Sequence, residues 1–97
     1  MSQSCETKEA RIFQFEECMD TVTCERIEPE LQALLADGDG PVVFDLAGVR
    51  FVSSAFLGLC VRAYQKACKC GFEVINVEPT IKRVFKIAGL EGMLKVR

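Results

Sequence analysis

Two neighbouring hydroxyls, Ser53 and Ser54, stand directly before an apolar segment with helical spacing. A serine placed there can accept a hydrogen bond from a free backbone N–H of the first helical turn. That end of a helix is also electropositive and tolerates an anion. Upstream, Asp45 closes the apolar run Val42-Val43-Phe44. It has two readings. It caps the turn Ala47–Phe51, the favoured role because Asp bonds nearby backbone N–H groups readily. Or it is a polar group at a binding crevice, where open α/β sheets place ligands. Gly48, Gly58 and Gly71 read as turn, packing and cap glycines.

Other chemistry-bearing residues are few. The chain has no histidine, so the usual general base near neutral pH and the usual triad member are missing. Neither G-x-x-x-x-G-K-[ST] nor G-x-G-x-x-G occurs. The expectation is no catalysis and no cofactor. The six cysteines are Cys5, Cys18, Cys24, Cys60, Cys68 and Cys70. Cys68 and Cys70 form C-x-C, not the C-x-x-C of a zinc ribbon, and no metal site is expected. Cys60 and Cys68 fall on apolar helical spacing, where cysteine acts as a small hydrophobe.

Ninety-seven residues make one domain, and 49% apolar content is ample for its core. No run approaches a membrane span, and no basic-then-apolar leader is present, so no membrane insertion and a cytoplasmic location are expected. The net charge of −2 hides an asymmetry. Residues 1–40 carry ten acids and three bases, and residues 41–97 carry four acids and nine bases. Arg62, Lys66 and Lys69 recur on one helix, and Lys82, Arg83 and Lys86 crowd another. With no aromatics between these charges, they read as solvated faces rather than a nucleic-acid surface.

The hydroxyl pair needs a scaffold, and the hydrophobic pattern supplies one. Residues 1–9 are polar, loose or a short edge strand. Ala10–Phe15 reads as a strand, after which Glu16–Asp20 leaves the sheet. A helix follows, with Thr23 as the better cap candidate and Ile27, Leu31, Leu34 and Leu35 inside. Pro29 conflicts with that pattern, so the helix is kinked there or its regular part starts there. Asp37–Pro41 is a turn. Val42–Leu46 has the short, apolar character of a strand buried on both faces. After Ala47–Arg50 turns, Phe51-Val52 returns to the core. Ala55–Cys70 is the longest helix, with Leu57, Cys60, Val61, Tyr64, Ala67 and Cys68 inward, and Gly71 ends it. Phe72–Val77 is a strand. Glu78-Pro79 opens a helix that buries Ile81, Val84, Phe85 and Ala88 and stops at Gly89. Gly92–Val96 is a candidate closing strand. This alternation predicts an α/β fold with a mainly parallel sheet and right-handed crossovers.

Three stretches carry a family resemblance. Val43-Phe44-Asp45-Leu46-Ala47-Gly48-Val49 resembles V-x-[DN]-L-S-G-[VL]. Phe51-Val52-Ser53-Ser54-Ala55-Phe56-Leu57-Gly58 resembles [FY]-[IM]-[DS]-S-[SA]-G-L-[GR]. Pro79–Leu90 resembles P-x-V-x-R-[LV]-F-x-x-x-G-L. In this order they resemble the STAS domain of bacterial anti-sigma factor antagonists and of sulfate-transporter cytoplasmic tails. The resemblance implies one STAS-like domain, a mixed, mainly parallel sheet of about four strands backed by helices, and no catalysis. It implies docking of an anti-sigma factor/serine kinase of ATPase fold through the 48–58 loop and helix start. Ser53, Ser54, Ala55, Phe56, Gly58, Asp45 and Gly48 are then the candidate partner-binding residues. Members of the family also resemble accessory subunits of lipid-transport ABC complexes, scaffolds of stress-signalling assemblies, and nucleotide- or small-ligand-binding modules.

Two departures matter. The family's phosphoacceptor serine falls on Ala55, which cannot be phosphorylated, leaving Ser54 or Ser53 as the only nearby hydroxyls. The favoured role of those two is helix capping. Phe56 stands where the family has glycine. It is either a core residue or an exposed anchor for a partner, and helix phase does not decide between them.

Overall fold

The computed structural model describes residues 10–36, 40–67 and 70–97. The expectations for residues 1–9, for positions 37–39 and for Cys68 lie outside them. Three strands form one parallel sheet: β1 (Arg11–Gln14), β3 (Val42–Asp45) and β5 (Phe72–Ile75), in the order β1-β3-β5. A second, two-stranded parallel ribbon pairs β2 (Cys18–Met19) with β4 (Phe51–Val52). The helices are α1 (Thr21–Ala36), α2 (Ser54–Ala67) and α3 (Pro79–Ile87). The fold is α/β with a parallel sheet, as the alternation predicts. α1 and α2 pack against each other.

The central strand shows why. Val42, Val43 and Phe44 are all buried, as a strand flanked on both edges must be in a parallel sheet. In register, Phe13, Phe44 and Val74 share the helix-covered face with Val42 and Phe72. Aromatic rings cross that face. Phe44 meets Phe15 and Phe72 edge-on at 4.8 and 4.9 Å, and Phe15 meets Phe56 at 5.0 Å. Such offset and edge contacts are favoured by the ring quadrupole.

Several boundaries move. Glu16–Asp20 does leave the main sheet, but Cys18-Met19 pairs with Phe51-Val52. The cap of α1 is Asp20, not Thr23: the Thr23 N–H donates to Asp20 Oδ1 at 2.9 Å. Thr21–Ala36 is one continuous helix through Pro29, which is exposed. The inner stripe of α2 is Phe56, Leu59, Cys60, Ala63 and Ala67, one residue out of phase with the Leu57–Val61 reading. Ala88 is exposed at the end of α3. The expected closing strand reduces to a single bridge between Val96 and Val74.

Arg11 ties the start of β1 to the end of α1. Its guanidinium donates to the Leu34 carbonyl at 2.6 Å, the Leu35 carbonyl at 3.3 Å and the Gly40 carbonyl at 2.7 Å. A fixed cationic fork suits the unpaired carbonyls and negative dipole of a helix C-terminus. Replacing it with alanine strands those acceptors. Arg11→Ala should lower unfolding stability by ~2 kcal/mol, as expected for charged hydrogen bonds, and Arg11→Lys should recover only part of it. Urea denaturation measures both.

Candidate functional site

All three strands of the parallel sheet point their C-terminal ends toward the loops that lead into helices. Asp45 gathers those ends. It accepts from the Ala47 N–H at 3.0 Å, from Asn76 Nδ2 at 3.0 Å and from Gln14 Nε2 at 3.2 Å. Gln14 and Asp45 are register partners on β1 and β3, and Asn76 directly follows β5. Asp45 therefore caps the turn, as favoured, and also cross-links three strand ends. The Asn76 amide, then the Ala47 N–H and the Gln14 amide, hold its carboxyl below the usual aspartate range. Gly48 takes a positive φ of 84° in that turn, where the Val49 N–H donates to the Leu46 carbonyl at 3.0 Å. Only glycine adopts this backbone without strain.

The loop after Gly48 is then clamped to the loop after β1. The Arg50 and Phe51 N–H groups both donate to the Glu17 carbonyl, at 2.8 and 3.2 Å. Arg50 Nε lies 3.5 Å from Glu17 Oε2. The Ser53 N–H donates to the Met19 carbonyl at 3.0 Å, and the Ser53 hydroxyl donates to the same oxygen at 2.9 Å. Ser53 is the cap of α2: its carbonyl accepts from the Leu57 N–H at 3.2 Å, and its Oγ lies 3.4 Å from the Phe56 N–H. Its hydroxyl is thus turned inward. Ser54 is exposed and its hydroxyl makes no hydrogen bond with any described residue. Ala55 and Gly58 are half-buried beside it.

The structure decides between the two readings of Phe56 and corrects that of Phe51. Phe56 is fully buried in the aromatic cluster, so it is a core residue and presents no ring to a partner. Phe51, expected in the core, is 51% exposed. Alternation explains the pair Phe51-Val52: successive strand side chains face opposite ways, and Val52 takes the inside. Exposed Cys18 sits opposite Phe51 in the ribbon. Sequence reasoning missed both as surface residues. The signal available was the two-residue alternation before the serine cap.

A family model described as "Mlab, STAS domain" matches residues 10–95. The chain is a STAS domain. Solved STAS structures share its fold. An anti-sigma-factor antagonist (STAS) domain protein from Planctomyces limnophilus is 22% identical, with a TM-score of 0.75, over 84% of this chain and 72% of that one. The anti-sigma factor antagonist SpoIIAA in its unphosphorylated form is 17% identical, with a TM-score of 0.77, over 92% and 80%. The phosphorylated Bacillus cell fate determinant SpoIIAA is 18% identical, with a TM-score of 0.69, over 92% and 81%. No curated protein matches the chain by sequence.

Other candidate chemistry at this STAS site is quiet. Burial pushes the Cys24 and Cys60 thiols up, well above the usual value for Cys60, which disfavours the reactive thiolate. The described residues hold no group of three or more side chains able to ligate a metal. No described helix is long and apolar enough to cross a membrane. Arg62 and Lys66 are engaged across the α1–α2 seam, with Glu28 at 3.5 Å and Gln32 at 2.8 Å.

Two outcomes follow for stability. Phe56→Ala should destabilise the STAS domain by ~3–5 kcal/mol, the cost of emptying an aromatic core site, measurable by chemical denaturation. Asp20 and Asp45 both have carboxyls held below the usual range, Asp20 chiefly by the Thr23 N–H. The unfolded chain then binds more protons than the native one just below pH ~4, so stability is lost as pH falls through that window. The melting temperature should drop on acidification below it, and less steeply in an Asp20→Asn, Asp45→Asn variant.

Proposed function

We propose that this STAS domain is a non-enzymatic docking module that works without a phosphoserine switch. Its first partner class is a cytoplasmic anti-sigma factor/serine kinase of ATPase fold. The observation that carries the reading is the geometry at the start of α2. Alanine occupies the family's acceptor position, and Ser53 commits its hydroxyl to the Met19 carbonyl. The docking surface then comprises Gly48, Ser54, Ala55 and Gly58, with Phe51 as its aromatic anchor. Asp45 and Ser53 support that surface from within, and Phe56 holds it from the core. A half-exposed aromatic beside small residues suits a partner's apolar pocket, because a few such anchors together carry much of the binding energy at an interface.

A second reading makes the partner a nucleotide-binding subunit of a lipid-transport ABC complex. The family model's own description as an Mlab domain favours it, and so does Ala55, since a structural subunit needs no acceptor. Both readings use the same surface and differ in what copurifies.

The purified domain should bind one of these two partner classes, tested side by side by calorimetry. Phe51→Ala should raise the Kd ~30-fold, the ~2 kcal/mol of a hot spot, while the melting temperature stays within the small range of surface substitutions. Incubation with the kinase and ATP should leave the intact mass unchanged. A stoichiometric phosphate on Ser53 or Ser54 would overturn the switch-free reading. Unchanged affinity in Phe51→Ala would remove the anchor.

A further inference from the structure

The charge asymmetry of the chain becomes spatial in the fold, and the docking end does not absorb it. α3 carries the basic part. Its exposed side presents Lys82, Arg83 and Lys86 along a shallow groove that also includes Pro79, Ile87 and Glu91. None of the three cations makes a hydrogen bond or ion pair with a described residue. This distinguishes them from Arg11, Arg26, Arg50, Arg62, Lys66 and Arg97, each of which is engaged. Ile87, beside them, is 78% exposed, the most exposed large apolar side chain among the described residues.

α1 carries the matching surface. Helical spacing puts Val22, Glu25, Pro29 and Glu30 on one outward side, opposite buried Cys24, Ile27 and Leu31. All four are exposed, Val22 to 72%. Glu25 and Glu30 form no ion pair with a described residue. Arg26 lies on the same side, but Glu16 neutralises it at 2.6 Å. Each helix therefore offers unpaired charge of one sign around one exposed aliphatic residue. The lengths are compatible too: nine residues of α3 span about 14 Å and sixteen residues of α1 about 24 Å.

We infer that the α3 face of one copy docks on the α1 face of a second copy. Lys82, Arg83 and Lys86 oppose Glu25 and Glu30, and Ile87 meets Val22. One molecule cannot satisfy both faces within itself, since α3 follows β5, at the opposite sheet edge from β1 and the α1 that follows it. Each copy carries both faces, so the contact closes reciprocally as a two-fold dimer where the two faces can meet at once and otherwise runs head-to-tail. The faces are small and charged, so the association is weak and salt-sensitive. An anionic bilayer is the competing occupant of α3. It is disfavoured because one exposed isoleucine on a nine-residue helix gives little apolar area to insert. The α3 half of the contact shares no residue with the start of α2.

Sedimentation equilibrium of the full chain tests this. At ~0.01 M ionic strength, where the Debye length is about 30 Å, the average mass should rise with concentration above that of the single 10.8 kDa chain. At ~1 M, where the length is about 3 Å, it should return to that of a monomer. Lys82→Glu with Arg83→Glu, and separately Glu25→Lys with Glu30→Lys, should each abolish association while keeping the wild-type circular dichroism and melting. Mixing the two variants should restore it. Lys95→Glu with Arg97→Glu changes net charge equally away from α3 and should associate like the wild type. A monomer at all concentrations and salts, binding of the monomer to anionic phosphatidylserine vesicles instead, or equal loss in the Lys95/Arg97 control would each overturn the inference.

Discussion

The Met19 carbonyl fixes where α2 begins. It accepts from the Ser53 N–H and the Ser53 hydroxyl, and the Cys24 thiol points at it from 3.8 Å. Those donors belong to α1 and to the residue that caps α2. One oxygen thus sets the start of the second helix against the first. The two-stranded ribbon exists to place it: β2 and β4 are only two residues each, too short to be stable alone. They persist because Glu17 clamps Arg50 and Phe51 from one side and the buried Met19 and Val52 anchor them from below.

The parallel sheet supplies what that arrangement stands on. Asp45, Gln14 and Asn76 join the three strand ends by side chains, so the loops leave from a common platform. Under it, the rings of Phe15, Phe44, Phe56 and Phe72 form a continuous apolar layer. Phe56, in the first turn of α2, meets Phe15, the residue that follows β1. The Phe56 ring lies wholly inside the core, so it leaves the outer contour of the helix start unobstructed.

Much of this was legible in the sequence. Strong periodicity and punctuation located β3, β5, α1, α2 and α3, because long apolar patterns and glycine stops report on burial directly. α3 starts at Pro79, and Gly71 and Gly89 take the positive φ that glycine allows. What escaped depends on contacts between distant residues. Cys18-Met19 carries no pattern of its own and becomes a strand only by meeting Phe51-Val52. The inward side of α2 turns on one residue, since Phe56 and Leu57 are both apolar and only Phe15, forty-one positions away, selects the first. The choice of Asp20 over Thr23 as cap is similar. Both residue types cap well, and the ribbon before Asp20 decides where the helix can begin.

The inward commitment of Ser53 has a consequence for how regulation and architecture relate. Position 55 is half-buried at the second residue of α2, and its side chain bears no hydrogen-bonding duty. The cap, the clamp and the aromatic layer all work without it. A small side chain at position 55 therefore carries no structural duty beyond its share of packing, and the start of α2 is complete whichever small group stands there.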